Sequence, residues 1–163
     1  MSGKLKIGII GGGGIAGAHV RNYKKLGWVD IAAVADVVPG RAEEFIAKWE
    51  LDGAVPFSDY RKLLEMDLDG VSICTPNAVH HAPTVDALRA GKHVMLEKPM
   101  SISLIDAVDM VRVSKETGKI LNIGFQPRYD PNMELLKELV QSGRLGNVYY
   151  VETGGGRRRG MPG

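Results

Sequence analysis

The chain has 163 residues, enough for one α/β domain with a buried core and short for two. Its 44% hydrophobic and 25% charged residues are ordinary for a soluble globular protein, and three of its 21 lysines and arginines are the consecutive Arg157, Arg158 and Arg159. Against 19 acidic residues the rest of the chain is near neutral, so neither a general polyanion-binding surface nor a nucleic-acid partner is expected.

A single cysteine, Cys74, excludes an internal disulfide and suits a reducing compartment. The first apolar run, Leu5–Ile10, breaks at glycines well short of the ~20 residues of a membrane span, and it lacks the h-region of a signal peptide. No membrane partner is expected, and the default location is the cytoplasm.

Taken in chain order, short apolar runs alternate with longer helical stretches. Leu5–Ile10 reads as a strand, followed by glycines and a helix from about Ala16 to Leu26. Val29–Ala35 is a second strand and Gly40–Glu50 a helix. Val55–Phe57 is a short third strand, with Ser58 or Asp59 capping a helix to about Met66. Gly70–Thr75 is a fourth strand, and the next helix runs from about His80 to Ala90 with Gly91 as its stop. His93–Glu97 follows as a fifth strand, Ser103–Thr117 as a helix closed by Gly118, and Ile120–Gly124 as a sixth strand. Near-continuous apolar strands alternating with helices specify an α/β fold, a doubly wound parallel sheet covered on both faces.

The pattern changes after Gly124. Pro131 opens a helix to about Ser142, Gly143 ends it, and Val148–Thr153 reads as one more strand. A strand needs neighbours. Residues 1–124 are therefore expected to form a dinucleotide-binding domain, and residues 125–163 the linker helix and first strand of a second domain the chain does not contain. The competing expectation adds that strand to the edge of the first sheet.

Between the first strand and its helix stands Gly11-Gly12-Gly13-Gly14-Ile15-Ala16-Gly17. Two registers of the G-x-G-x-x-G/A fingerprint fit, Gly11/Gly13/Ala16 and Gly12/Gly14/Gly17. The first is favoured because Gly11 follows the strand directly and the third place accepts alanine. Backbone there must approach a pyrophosphate, and the helix start offers free N–H groups and partial positive charge. Asp36, at the end of the second strand, is placed to accept hydrogen bonds from the adenosine ribose. A 2′-phosphate about 4 Å from that carboxylate would be repelled by roughly 4 kcal/mol per charge pair at an effective dielectric of 20. Valines follow Asp36, although Arg41 is near enough in sequence to swing in, so NAD is expected over NADP.

Further segments carry a family resemblance. Gly91-Lys92-His93-Val94-Met95-Leu96-Glu97-Lys98-Pro99, Cys74-Thr75-Pro76-Asn77 with His80, Gly124-Phe125-Gln126-Pro127-Arg128-Tyr129-Asp130-Pro131 and Gly143-Arg144-Leu145-Gly146 resemble motifs of the Gfo/Idh/MocA oxidoreductases over essentially the whole length. The resemblance implies a Rossmann domain followed by an α/β domain with a large open sheet that often forms a dimer interface, hence a homo-oligomer. It implies hydride transfer between a nicotinamide and a sugar, cyclitol or related polyol.

By the same resemblance Lys98 lies near the nicotinamide and the reacting oxygen, where an ammonium stabilises a developing alkoxide. Glu97 is expected to position it, and a cis peptide is expected before Pro99. Thr75, Pro76, Asn77 and His80 follow the fourth strand, on the carboxyl edge where such sheets bind ligands. They are expected along the nicotinamide half of the groove, with helix capping or solvent exposure as the competing readings of His80. Gln126 and Arg128 are candidates for contact with the carboxamide or substrate, or for joining domains.

The other histidines, His19, His81 and His93, read as structural, and Cys74 as core. Nothing suggests a metal site. The family's acid–histidine pair of the second domain has no counterpart in this sequence, so the chain alone is expected not to turn over substrate. Two other functions compete with the dehydrogenase: a relative that uses NAD transiently to cleave glycosides without net redox, and a non-catalytic nucleotide sensor. Arg157–Arg159 reads as a substrate-facing loop, a solvated turn or, least in keeping with the absence of interleaved aromatics, a nucleic-acid patch.

Overall fold

The structure, a computed structural model, describes residues 3–154. The chain divides into two compact units, Met1–Gly124 and Phe125–Gly163. In the first, β1 (Leu5–Ile10) leads to α1 (Gly14–Tyr23), β2 (Val29–Ala35) to α2 (Arg41–Lys48), and β3 (Val55–Phe57) to the short α3 (Tyr60–Leu64). β4 (Gly70–Ile73) is followed by a 3₁₀ turn at Asn77–Val79 and α4 (His81–Arg89). β5 (His93–Leu96), α5 (Leu104–Thr117) and β6 (Leu121–Ile123) complete the unit.

The six strands lie in the order β3-β2-β1-β4-β5-β6, and every neighbouring pair is parallel. The chain starts at the centre, builds one half outward, then crosses back to build the other. That reversal opens a crevice beyond the carboxyl ends of β1 and β4, the place where doubly wound sheets hold ligands. Register brings Ile10 beside Ala35 and Ile73, and Ile73 beside Leu96, so the residues that follow β1, β2, β4 and β5 emerge on one edge.

Helices cover both faces because the strands are apolar on both. Along β1, Ile9 packs with Val20 of α1 and Phe45 of α2, while its neighbour Ile10 joins the opposite cluster with Leu63, Leu88 and Met110 of α3, α4 and α5. Side chains alternating at a period of two thus feed two cores. Asp59 caps α3 by accepting from the Arg61 amide at 3.0 Å, and Ser103 caps α5 through the Asp106 amide at 3.4 Å.

The strands and helices stand where the sequence places them, with trimmed ends. α1 begins at Gly14 rather than Ala16, which puts Gly14 and Ile15 in its first turn with Gly13 as N-cap. β4 stops at Ile73, and the Lys98–Pro99 peptide is cis.

In the second unit a 3₁₀ turn at Gln126–Tyr129 precedes α6 (Pro131–Gln141), whose N-cap Asp130 accepts from the Asn132 amide at 2.8 Å. Residues 148–153 are not a strand, contrary to expectation. The alternating Val148, Tyr149, Tyr150, Val151 pattern has strand propensity, but no described segment pairs with it, and an extended segment without a ladder gains no strand hydrogen bonds. Arg157–Arg159 lie outside the described residues.

Candidate functional site

The turn after β1 is shaped by backbone needs. Gly11 has φ +96°, and a Cβ there would meet the Cys74 carbonyl oxygen at 2.8 Å, so only glycine fits. Around Gly13 and Gly14 the Cβ direction is open space. Gly13 offers α1 no side-chain cap and the first turn carries no acidic residue, leaving free amides and the positive end of the helix dipole facing outward. Ala16 is fully buried and Ile15 is 40% exposed. These features match the Gly11/Gly13/Ala16 register. Gly17 has a separate reason to be glycine: a Cβ there would collide with the Trp49 ring, so its absence lets α1 and the C-terminal end of α2 close together.

Asp36 reaches this turn. Its Oδ2 accepts from the Gly12 amide at 2.8 Å and its Oδ1 from the Val38 amide at 2.9 Å, and an Arg41 nitrogen lies 3.6 Å from Oδ1. The carboxylate is buried and oriented before any ligand arrives. Sequence spacing suggested its partnership with the glycines; the tether through Gly12, a glycine outside the favoured register, was not legible.

After β4 come Thr75, Pro76 and Asn77, the last two exposed. The Thr75 hydroxyl is buried with no hydrogen-bond partner among the described residues. His80 does not face solvent, and although it stands at the N-cap position of α4 its side chain makes no capping bond. It is 1% exposed, with Nε2 3.0 Å from the Thr75 carbonyl oxygen and Nδ1 2.9 Å from that of Pro99. After β5, Glu97 is buried and Lys98 exposed, and the Lys98 amide donates to Glu97 Oε2 at 3.2 Å.

Glu97 also anchors a network that sequence reasoning missed. Its Oε1 lies 2.9 Å from His19 Nε2; His19 Nδ1 lies 3.3 Å from Ser72 Oγ, and Ser72 Oγ lies 2.6 Å from the Tyr23 hydroxyl. One donor direction satisfies all of them: Tyr23 O–H to Ser72, Ser72 O–H to His19 Nδ1, and His19 Nε2–H to the Glu97 carboxylate. Burial raises the Tyr23 phenol above its ordinary range, which keeps it a neutral donor. The Ser-His-Glu order resembles a hydrolytic triad, yet Ser72 is fully buried within β4 and meets no substrate. The only sequence signal was an i, i+4 pair, His19 and Tyr23, on the inward face of α1.

The remaining histidines are structural, as expected: His81 Nε2 lies 2.8 Å from Asp109 Oδ2, and His93 Nδ1 accepts from the Ile120 amide at 3.1 Å. The Arg112 guanidinium, with His81 second, holds the Asp109 carboxyl below the usual carboxylate range. Cys74 is buried, and burial, with the Glu97 charge second, pushes its thiol up to about 12, so it is core and not a nucleophile. Among the described residues no cluster of three or more His, Cys, Asp or Glu could hold a metal ion. No helix there is long and apolar enough to cross a membrane. Gln126 and Arg128 occupy the 3₁₀ turn of the second unit, both exposed.

The oxidoreductase family described by its NAD-binding Rossmann fold matches residues 5–125. The chain belongs to the Gfo/Idh/MocA oxidoreductases. Among family members it is 34% identical over 150 residues to the inositol 2-dehydrogenase of Salmonella typhimurium, covering 90% of this chain and 44% of that protein. It is 33% identical over 163 residues to the D-glucoside 3-dehydrogenase of Escherichia coli, covering 99% of this chain and 46% of that one. The scyllo-inositol dehydrogenase of Lactobacillus casei, solved with NAD(H) and scyllo-inositol, superposes with a TM-score of 0.80 at 28% identity, covering 88% of this chain and 43% of that one. The chain thus spans about half the length of the curated relatives it matches.

Proposed function

We propose that this chain is the NAD-binding part of a dehydrogenase that acts on a sugar, cyclitol or related polyol. The carrying observation is the pre-set pair at the β1 and β2 ends: free amides opening α1, and the Asp36 carboxylate already fixed on the Gly12 amide. The residues fit the cofactor. The open Cβ sides of Gly13 and Gly14 admit a pyrophosphate, Asp36 suits ribose hydroxyls, and the Thr75 hydroxyl has no partner among the described residues on the edge expected to hold the nicotinamide. NAD is favoured over NADP because Asp36 repels a 2′-phosphate and neutralises the neighbouring Arg41.

When bound, the nicotinamide supplies the hydride acceptor. The chain's own part is to hold and charge-stabilise. Lys98, exposed on the edge, presents an ammonium to the carbinol oxygen and stabilises the alkoxide that develops there. Glu97, locked by His19, orients the Lys98 backbone. The names of the relatives, inositol and glucoside dehydrogenases, favour net redox over glycoside cleavage or sensing. Residues 125–163 are read as the start of the substrate domain, and the working protein is read as a cytoplasmic homo-oligomer.

Titration of NADH against the chain, followed by nicotinamide fluorescence, is expected to saturate, with NADPH weaker. Absence of saturation with either sinks the reading. Lys98→Ala is expected to leave the chain's NADH affinity within about threefold and, in a protein in which the chain is joined to a substrate domain, to lower NAD-dependent oxidation of inositols or glucosides by at least ~100-fold, the scale of a lost proton-transfer or charge-stabilising group.

A further inference from the structure

Two histidines, His19 of α1 and the buried His80, differ in what their nitrogens face. The two nitrogens of His19 meet a hydroxyl, which can donate, and a carboxylate, which accepts, so a ring with one proton satisfies both. Those of His80 meet two carbonyl oxygens, of Thr75 at 3.0 Å and Pro99 at 2.9 Å. Both are N–H···O distances, and neither oxygen has a proton to give. In either neutral tautomer one contact would set a ring lone pair against a carbonyl lone pair, within a site that is 1% exposed. Only a ring with two N–H groups satisfies both.

The two carbonyls belong to different loops. Thr75 opens the segment after β4 that continues into Pro76 and Asn77; Pro99 immediately follows Lys98, after β5. The clamp itself is anchored. The His80 carbonyl accepts from the Thr84 hydroxyl at 2.7 Å and the Thr84 amide at 3.3 Å, and Thr84 is fully buried in α4. Charged groups stand nearby in the chain, Glu97 and Lys98 after β5 and the His81–Asp109 pair between α4 and α5, and their recorded bonds go elsewhere than the His80 ring.

We propose that His80 carries a proton on each ring nitrogen and is a positioning residue, stapling the Thr75 and Pro99 carbonyls so that Lys98 and the Thr75–Asn77 segment are held at the nicotinamide end of the groove. His80 itself touches neither cofactor nor substrate. The positioning role rests on the function proposed above; the protonation does not.

Two measurements test this. Histidine-selective ¹⁵N labelling of the unsubstituted chain reads protonation directly. At pH 7 both ring nitrogens of His80 are expected in the protonated range, each with its own N–H; one bare nitrogen overturns the assignment. The second compares NADH with ADP-ribose, which lacks the nicotinamide. His80→Ala is expected to weaken NADH about tenfold and leave ADP-ribose within about twofold, the loss of charged hydrogen bonds being confined to one end of the ligand. His80→Gln, which keeps one donor, is expected to recover part of the loss. Equal losses on both ligands, or none on NADH, overturn positioning. If His80→Ala fails to fold, by near-ultraviolet circular dichroism, His80→Gln and the ¹⁵N spectrum decide. If the unsubstituted chain binds neither ligand, the function reading and the positioning role fall together, while the ¹⁵N spectrum still decides the protonation.

Discussion

Asp36 is held by two backbone amides and faced by Arg41 at 3.6 Å, so its replacement does more than remove a hydrogen-bond acceptor. Asp36→Ala frees Arg41 to meet a 2′-phosphate in the space the carboxylate vacates. NADH affinity is expected to fall about tenfold or more, the scale of lost charged hydrogen bonds, while NADPH affinity rises. Parallel fluorescence titrations check the crossing, and loss of both affinities would count against Arg41 as the compensating cation. Cys74 makes a second prediction at this scale. Its folded thiol titrates at about 12, above the ordinary thiol value of 9.0, so its contribution to stability is intact below pH 9 and is lost as pH climbs from 9 toward 12. The urea midpoint of the chain is expected to drop over that range, and the drop to be smaller in Cys74→Ala.

Between elements, the contact that sets α1 is the close approach of Gly17 to Trp49. Gly17→Ala gains helix propensity of about 1 kcal/mol but must displace an indole, and overpacking costs about 1–3 kcal/mol, so net destabilisation is expected in a urea melt. Pairing it with Trp49→Leu, which removes the obstructing ring, is expected to relieve most of that clash; additive losses would argue against the contact.

The legibility of the fold follows the same physics. β1, β2 and β4 were readable because two-sided burial writes continuous apolar runs, and α5 because Ser103 and Gly118 bracket it. Asp36 and the glycines were readable because spacing alone joins the ends of adjacent parallel strands. The network of His19, Tyr23, Ser72 and Glu97 was not, since α1, β4 and β5 bring together residues up to 78 positions apart and no local period encodes that. Residues 148–153 misled for the converse reason: propensity describes a strand's willingness to pair, and pairing needs a partner.

For the molecule as a whole, burial is unevenly shared. β1 and β4 are paired on both sides and packed on both faces, whereas α6 has no buried residue. Native-state hydrogen exchange is expected to rank them accordingly. Amides of Ile9, Ile10, Val71 and Ile73 should exchange only through global unfolding, and those of α6 through local openings of far smaller free energy. Addition of NADH should slow exchange at the amides opening α1 and leave α6 unchanged. Equal protection across both units would contradict the division at Gly124.

The chain has two tryptophans, and they sit in contrasting surroundings. Trp28 is 57% exposed, whereas the Trp49 ring lies in the notch at Gly17 with the Arg21 guanidinium carbon 5.4 Å from its centroid. Iodide in solution therefore has easy access to the first indole and hindered access to the second. The emission that survives such quenching comes chiefly from a ring leaning on the helix proposed to receive the diphosphate, an optical gauge of that helix's movement that needs no added label.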